Sequence, residues 1–216
     1  MYTHILFDLD GTLLDSLDDL ADSMNAVLDR LGLPTHPTAA YRYFVGDGME
    51  TLARRVLPAA QVEAAVVALV VAAMRDEYAS RWAVNTRPYD GIPAMLDGLA
   101  ERGIGMAILS NKPDDFTNKV VASLLGKWQF LAVRGVLPGG PKKPDPEGAL
   151  ALAGQLGIPT RQFLYLGDTN TDMLTATRAG MFAVGALWGF RTGEELKKNG
   201  AKALIARPHE LLDLLS

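Results

Sequence analysis

Two aspartates and a threonine stand together near the start of the chain, in the run Asp8-Leu9-Asp10-Gly11-Thr12. Residues 4–9 read as a strand, and side chains two apart on an extended chain point the same way, so Asp8 and Asp10 can face one site. A carboxylate can attack phosphorus to form an aspartyl phosphate, while a second acid protonates the leaving alcohol. Gly11 permits a sharp turn, and the Thr12 hydroxyl can donate to a phosphoryl oxygen. The alternative is an ordinary Asp-Gly turn between two strands.

A hydroxyl and a lysine could supply the phosphate contacts that such chemistry needs. Ser110 and Asn111 follow the apolar run 105–109, and a hydroxyl next to an exposed backbone amide is a good donor pair for phosphate. Lys143 lies in a loop stiffened by prolines, where its compact charge can hold phosphate and balance nearby carboxylates. The alternatives are a helix cap in the first case and a solvent-exposed basic turn in the second.

An acidic motif, Gly167-Asp168-Thr169-Asn170-Thr171-Asp172, follows the apolar run 163–166. Mg²⁺ prefers oxygen ligands and usually takes one or two protein carboxylates. Asp168 could complete a magnesium site with the Asp8 carboxylate and the Asp10 carbonyl, and Asp172 could act from behind it or through water. The alternative is an acidic first turn of a helix, which the helix dipole favours. Taken together, the motifs favour one phosphate-transfer site with a nucleophile, an acid and a metal.

The elements that must position these residues alternate along most of the chain. Apolar runs read as strands at 4–9, 105–109, 130–133, 163–166, 181–184 and 203–205, and helical patterns fill 92–102, 115–125, 146–156 and 171–179. None of the runs alternates cleanly in polarity, as expected for strands buried on both faces of a parallel sheet. The sequence therefore predicts a doubly wound, Rossmann-like α/β core. In such sheets, ligands bind beyond the carboxyl ends of the strands.

Residues 16–85 break this alternation, because they contain helical patterns and no convincing strand. Ser16 can cap a first helix that ends at Gly32. A second helix covers 49–57, and a third carries Leu69 among its packed apolar positions. We therefore predict a core formed by residues 1–15 and 86–216, with a small helical cap domain, residues 16–85, inserted after the first strand.

Composition restricts the partners and the compartment. The 216 residues are 49% hydrophobic and carry a formal net charge of −4, so there is no electrostatic case for nucleic acid or an anionic membrane. The chain has no cysteine, which excludes disulfides and thiolate metal sites. Its longest apolar run, residues 64–74, is too short to span a bilayer. We expect a cytoplasmic monomer or homodimer that acts on a small phosphorylated molecule.

The polar motifs resemble the four motifs of the haloacid dehalogenase superfamily, and the resemblance spans the whole chain. It rests on Asp8-x-Asp10-Gly11-Thr12, Ser110-Asn111, Lys143-Pro144 and Gly167-Asp168-x-x-x-Asp172. Two further segments are similar to bacterial phosphoglycolate phosphatases. They are Val45-Gly46-Asp47-Gly48, followed by Leu52, Arg55 and Leu57, and the tail that begins Trp188-Gly189-Phe190-Arg191.

This resemblance implies an Mg²⁺-dependent phosphatase with 2-phosphoglycolate as the leading substrate. By position, Asp8 is the nucleophile that forms a phosphoaspartate, and Asp10 is first acid and then base, a role worth about 10²–10⁴ in rate. The implied phosphate-binding residues are Thr12, Ser110, Asn111 and Lys143. The implied metal ligands are Asp8, Asp10 and Asp168, with Asp172 behind them. A cap would close over the site and select the substrate.

Other branches of the superfamily can be weighed on the same residues. Dehalogenases lack an acid where Asp10 stands, and phosphonatases carry a cap lysine, whereas residues 16–85 contain none. A phosphosugar or nucleotide phosphatase, a pyrophosphatase and a phosphosugar mutase stay open. So does a non-catalytic binding or regulatory protein that kept the fold.

The predicted cap offers one candidate substrate contact. The loop Gly46-Asp47-Gly48 could bring backbone amides to a small carboxylate substrate. Arg55 could pair with an anionic group of that substrate, because a guanidinium forks onto carboxylate or phosphate. The alternatives are a plain turn for the loop and a surface helix position for Arg55.

Overall fold

The computed structural model describes residues 2–215, and a six-stranded parallel sheet lies at its centre. The strands of this sheet are β1 (His4–Phe7), β4 (Gly105–Pro113), β5 (Ala132–Val136), β6 (Phe163–Gly167), β7 (Phe182–Ala186) and β8 (Ala203–Ile205). Two short strands, β2 (Leu14–Asp15) and β3 (Arg87–Pro88), form a separate antiparallel pair. The order across the sheet is β5-β4-β1-β6-β7-β8, and every neighbouring pair is parallel. The predicted α/β fold class is confirmed.

Nine α-helices lie within the described residues. They are α1 (Leu17–Arg30), α2 (Thr38–Phe44), α3 (Met49–Val56), α4 (Ala64–Arg81), α5 (Ile92–Glu101), α6 (Asp114–Leu124), α7 (Glu147–Leu156), α8 (Asn170–Arg178) and α9 (Gly193–Lys198). Short 3₁₀ turns cover Ala59–Gln61, Thr160–Gln162 and Pro208–Leu215. The four helices predicted after residue 86 occur within one residue of their expected bounds. The short helices α2 and α9 were not predicted.

The central strand β1 shows why the sheet is covered on both faces. Ile5 and Phe7 pack into one apolar cluster with α5 and α6, whereas Leu6 packs into a second cluster with α7 and α8. Successive side chains of a strand point to opposite faces, so three consecutive apolar residues require two apolar layers. This is why the strand reads as a continuous apolar run.

The register of β1 brings three motifs to one edge of the sheet. Phe7 lies opposite Ile108 of β4 on one side and opposite Leu166 of β6 on the other. The residues that follow these three positions therefore leave the sheet side by side. The chain order also reverses across β1, and such a switch point opens a crevice at the carboxyl ends of the strands.

The helical insert, residues 17–81, comprises α1 to α4 and follows the β2 strand. Its apolar cluster is distinct from the two sheet clusters and includes Met24, Tyr41, Val70 and Tyr78. Leu69 was predicted to lie on the packed face of α4, but its side chain is 54% exposed. The reason is that α4 is apolar on most of its surface, so sequence spacing does not identify the packed side. The division of the chain into domains at residues 16 and 85 stays a prediction.

No helix in the described part of the chain is long and apolar enough to cross a bilayer. The longest of them, α4, has 18 residues, and its C-terminal part carries the charged residues Arg75, Asp76 and Glu77.

Asp19 of α1 holds the segment that leads from the insert back to the sheet. Its buried carboxylate accepts hydrogen bonds from the backbone N–H of Asn85 at 2.9 and 3.0 Å and of Thr86 at 2.8 Å. The Thr86 hydroxyl donates to the same carboxylate at 2.6 Å. Several donors on one buried carboxylate make strong, charge-assisted bonds.

We expect Asp19→Ala to lower the free energy of unfolding by about 3 kcal/mol, because buried backbone donors would lose their acceptor. Urea denaturation would measure the loss. The matched control is Asp18→Ala, which removes an exposed carboxylate from the same helical turn and should cost less than about 1 kcal/mol. Equal losses in the two variants would contradict the role assigned to Asp19.

Candidate active site

Asp8 lies at the carboxyl end of β1 and faces a buried ammonium. Its backbone N–H still donates to Leu166 at 2.9 Å, so the sheet fixes its position. The Lys143 Nζ atom lies 2.6 Å from Asp8 Oδ1 and 2.7 Å from Asp172 Oδ1. All three side chains are buried. The structure thus brings Asp8 and Lys143 together, as the motifs predicted.

Asp168 lies beside Asp8 at the end of β6, and both of its oxygens accept hydrogen bonds. The Thr12 hydroxyl donates to Oδ1 at 2.8 Å, and the Phe190 backbone N–H donates to Oδ2 at 2.7 Å. The tight turn after Asp8 buries Thr12 completely beneath Asp168, where its hydroxyl fixes the carboxylate. The phosphate-binding role of Thr12 stays a prediction.

Gly11 allows that turn to pass close to Asp168. Its φ is +89°, a conformation that residues with a Cβ rarely adopt. An added Cβ would lie 2.4 Å from Asp168 Oδ2 and 2.6 Å from the Phe190 ring. Glycine is therefore required here for both backbone conformation and space.

Asp172 lies on the first turn of α8, and its carboxylate is used to hold other groups. Besides Lys143, it accepts from the Thr169 N–H at 3.0 Å and the Thr169 hydroxyl at 2.6 Å. The Asp172 N–H donates in return to the Thr169 side-chain oxygen at 3.4 Å, which closes a capping box. The Tyr165 hydroxyl donates to it at 3.3 Å. These contacts leave Asp172 little capacity for a metal, and they place it behind Lys143, in keeping with the outer role predicted for it.

The donor set of this cluster fits Mg²⁺. Oxygens of Asp8, Asp168 and Asp172 lie within 4.8 Å of one another, and hard oxygen donors are what Mg²⁺ prefers. Burial, and then the charge of Asp172, raises the pKa of Asp8 well above its usual value and that of Asp168 to about 7, although Lys143 acts in the opposite direction. Burial and the neighbouring carboxylate both disfavour the ionised forms, and a bound divalent cation would favour them.

Lys143 keeps its charge in this cluster. Burial by itself would lower the pKa of its ammonium, but the charges of Asp172 and Asp8 outweigh burial and raise it. The site therefore holds one ammonium against three buried carboxylates. That imbalance is the electrostatic reason to expect a metal ion held by Asp8 and Asp168.

Asp10 points to a different part of the site and pairs with a second buried lysine. The Lys112 ammonium donates to Oδ1 at 2.9 Å and to Oδ2 at 2.8 Å, and the Ser16 hydroxyl donates to Oδ1 at 2.7 Å. The sequence suggested that the Ser16 side chain caps α1, but its hydroxyl donates to Asp10 and makes no cap hydrogen bond. Sequence reasoning missed Lys112, although it follows Ser110-Asn111 directly. The sequence prediction ended this strand at residue 109, whereas β4 extends through residue 113 and so buries the lysine.

Ser110 and Asn111 leave the sheet next to Asp8 and line the same cavity. The Ser110 side chain is buried, and its oxygen accepts from the Lys112 N–H at 3.2 Å. The Asn111 amide donates to the carbonyls of Lys143 and Gly46, each at 3.0 Å, and its oxygen accepts from the Lys143 N–H at 2.8 Å. The Asn111 side chain therefore joins the lysine loop to the helical insert.

The loop between α2 and α3 reaches the active site through two glycines. Gly46 and Gly48 have φ values of +106° and +86°, and both line the cavity that contains Asp8. Arg55 does not line it. Its guanidinium lies 2.5 Å from the Asp47 carboxylate and donates to the carbonyls of Tyr43 and Phe44. The structure brings the glycines to the site and uses Asp47 and Arg55 to hold the loop.

Phe190 and Arg191 connect the sheet to the insert, which the sequence did not reveal. The Phe190 ring packs in the apolar cluster of the insert, while its N–H donates to Asp168. The buried Arg191 guanidinium donates to the carbonyls of Arg42 and, at 3.2 Å, Val45. One short segment therefore fixes a predicted metal ligand and the active-site loop together.

The chain matches a family model described as haloacid dehalogenase-like hydrolase over residues 5–186. It is 34% identical to a phosphoglycolate phosphatase of Xanthomonas campestris over 212 aligned residues. The alignment covers 96% of this chain and 93% of the relative. It is 32% identical to a phosphoglycolate phosphatase of Aquifex aeolicus, with coverage of 98% and 95%. A crystal structure of a phosphoglycolate phosphatase candidate from Lactobacillus delbrueckii subsp. bulgaricus superposes with a TM-score of 0.93 at 26% identity, covering 99% of this chain and 98% of the other.

We expect Mg²⁺ to raise the melting temperature by roughly 5 °C or more at a hundredfold excess over its Kd, because it binds only the folded cluster. Asp168→Asn should abolish this rise, since it removes one charged ligand. Thermal unfolding with and without Mg²⁺ would measure both. The control Asp97→Asn changes a surface carboxylate that pairs with Lys127 and should keep the rise. A full rise in Asp168→Asn would place the metal elsewhere.

Proposed function

The chain belongs to the haloacid dehalogenase-like hydrolases and is a phosphatase, and from that premise we propose that it hydrolyses small phosphomonoesters through a phosphoaspartate on Asp8, with Mg²⁺ as cofactor. The observation that carries this proposal is the Asp8 carboxylate, fixed at the end of β1 with the Lys143 ammonium 2.6 Å away. The ammonium can bind the transferred phosphoryl group while it offsets the negative charge of its surroundings.

In the first step, an Asp8 oxygen forms a bond to phosphorus as the ester P–O bond breaks. Asp10, two residues further on, gives its proton to the departing alcohol oxygen. In the second step, a water attacks the phosphorus of the phosphoaspartate and loses a proton to Asp10, and Asp8 is released. Ser110 and Lys143 orient the phosphoryl group throughout. The metal supplies positive charge that lets an anionic carboxylate approach an anionic phosphate.

The size of the cavity supports a small substrate. The space beside Asp8 and Asp10 has about 60 Å³ of water-accessible volume. Since one water occupies roughly 10–15 Å³ on this measure, the cavity holds only a few non-hydrogen atoms beyond the phosphoryl group. A small leaving group fits beside the phosphoryl group in this space.

Of the small phosphomonoesters, we propose 2-phosphoglycolate. The two relatives that are about one third identical over nearly their full lengths are phosphoglycolate phosphatases. The glycine loop that resembles theirs lies at the cavity. The cytoplasmic location and the state as monomer or homodimer stay predictions.

We expect Mg²⁺-dependent phosphate release to be fastest with 2-phosphoglycolate in a panel that includes hexose phosphates, nucleotides and pyrophosphate. The measure is kcat/KM for each compound. Uniformly weak activity across the panel would contradict this substrate while leaving the chemistry of Asp8 in place.

The control for this panel is Asp8→Asn, which keeps the shape of the side chain but removes the nucleophile. Turnover of every substrate should fall to background. Beryllofluoride, which mimics an aspartyl phosphate, should bind the wild-type protein only with Mg²⁺ present and should not bind this variant. Wild-type turnover by Asp8→Asn would contradict the covalent mechanism.

We expect Asp10→Asn to slow hydrolysis of an alkyl phosphate by about 10²–10⁴, because the alkoxide would leave without a proton. An aryl phosphate should lose much less, since a phenolate departs unprotonated. Steady-state kinetics with both substrates would measure the difference. Equal losses would mean that Asp10 is not the general acid.

A further inference from the structure

The Tyr78 hydroxyl is a buried polar group that has no hydrogen-bond partner of good geometry within the described part of the chain, and the Lys112 ammonium is a close polar neighbour. Tyr78 lies on α4 and is 1% exposed. The remaining buried side-chain nitrogens and oxygens among residues 2–215 have partners. Buried polar groups in folded proteins are nearly always paired, so an unpaired one requires an explanation. Burial raises the pKa of this hydroxyl, which therefore keeps its proton and can donate.

Tyr78 and Lys112 both line the active-site cavity. The Lys112 ammonium lies over the Tyr78 ring, 4.8 Å from its centroid, and is the only cation among the residues that line the cavity within the described chain. An ammonium has three donors, and Asp10 uses two of them. Tyr78 and an ammonium with one donor that Asp10 does not use therefore lie against each other at this cavity.

The position of this pair relative to Asp8 and Asp10 defines the kind of group that it could bind. The phosphoryl group lies at Asp8, and the ester oxygen must lie at Asp10, which protonates it. Lys112 contacts Asp10 at 2.8 Å, so the pair lies next to the first carbon of the leaving group. Once Asp10 has given up its proton, it would repel a second anion in this place unless a cation stood between them.

We propose that Tyr78 and Lys112 bind the carboxylate of the substrate, so that the enzyme selects phosphomonoesters with a carboxylate one carbon from the ester oxygen. This inference rests on the proposed function and adds the residues that recognise the leaving group. The Tyr78 hydroxyl donates to one carboxylate oxygen, and the ammonium donates its third hydrogen and offsets the charge.

The pair also links recognition to the position of the helical insert. Tyr78 belongs to the insert, whereas Lys112 belongs to β4 of the sheet. The carboxylate is bound from both sides only when the insert covers the site. A phosphomonoester without a carboxylate would leave the Tyr78 hydroxyl unpaired in the complex.

The test compares 2-phosphoglycolate with ethyl phosphate, which has a methyl group in place of the carboxylate. The readout is the ratio of their kcat/KM values, which cancels general effects on turnover. In wild type the ratio should strongly favour 2-phosphoglycolate. In Tyr78→Phe it should fall about tenfold to a hundredfold, the value of one hydrogen bond to a charged group. Lys112→Gln should reduce the same ratio further, even though its loss of the Asp10 contact slows both substrates.

The matched control is Tyr41→Phe. Tyr41 is also buried in the insert, but its hydroxyl donates to Asn25 at 2.7 Å. This variant should lower the melting temperature and leave the ratio unchanged, whereas Tyr78→Phe loses no bond and should keep its melting temperature.

An unchanged ratio in Tyr78→Phe, or a wild type that hydrolyses both esters equally well, would overturn the carboxylate subsite and leave the proposed chemistry intact. A wild type that hydrolyses neither ester would instead overturn the proposed function, and the subsite with it.

Discussion

The ammonium of Lys143, buried between Asp8 and Asp172, is the interaction on which the active site depends. Three carboxylates are buried at one edge of the sheet, and ionised groups away from water are costly unless they are paired. One ammonium compensates only part of this charge. Burial first, and then the charge of Asp172, raises the pKa values of Asp8 and Asp168, and a divalent cation would offset both effects.

The sheet satisfies this demand because β1 lies between β4 and β6. The polar groups that follow these strands emerge at the same edge, so the proposed nucleophile, phosphate donor and metal ligand, which are far apart in sequence, become neighbours. Asn111 then fixes the lysine loop through two hydrogen bonds. The catalytic groups are thus held by backbone register and by side chains that do not take part in the chemistry.

The helical insert turns this reactive edge into a small cavity. Asn111, Phe190 and Arg191 each connect the sheet to the insert near the glycine loop, and Asp19 fastens the segment that returns to the sheet. Because Asn111 also bonds to Lys143 and the Phe190 N–H also donates to Asp168, covering of the cavity and alignment of these two charged groups are mechanically linked.

The sequence by itself determined the α/β core and the roles open to Asp8, Asp10, Lys143 and Asp168, because apolar runs and strand-end motifs are local patterns that pairing in a sheet preserves. Tertiary structure decided the rest. The Thr12 and Ser16 hydroxyls bond to Asp168 and Asp10, Arg55 holds a loop, and Lys112 and Tyr78 meet in the cavity. Each of these contacts depends on which distant segment of the chain lies next to the side chain, and residue spacing along the sequence does not determine that.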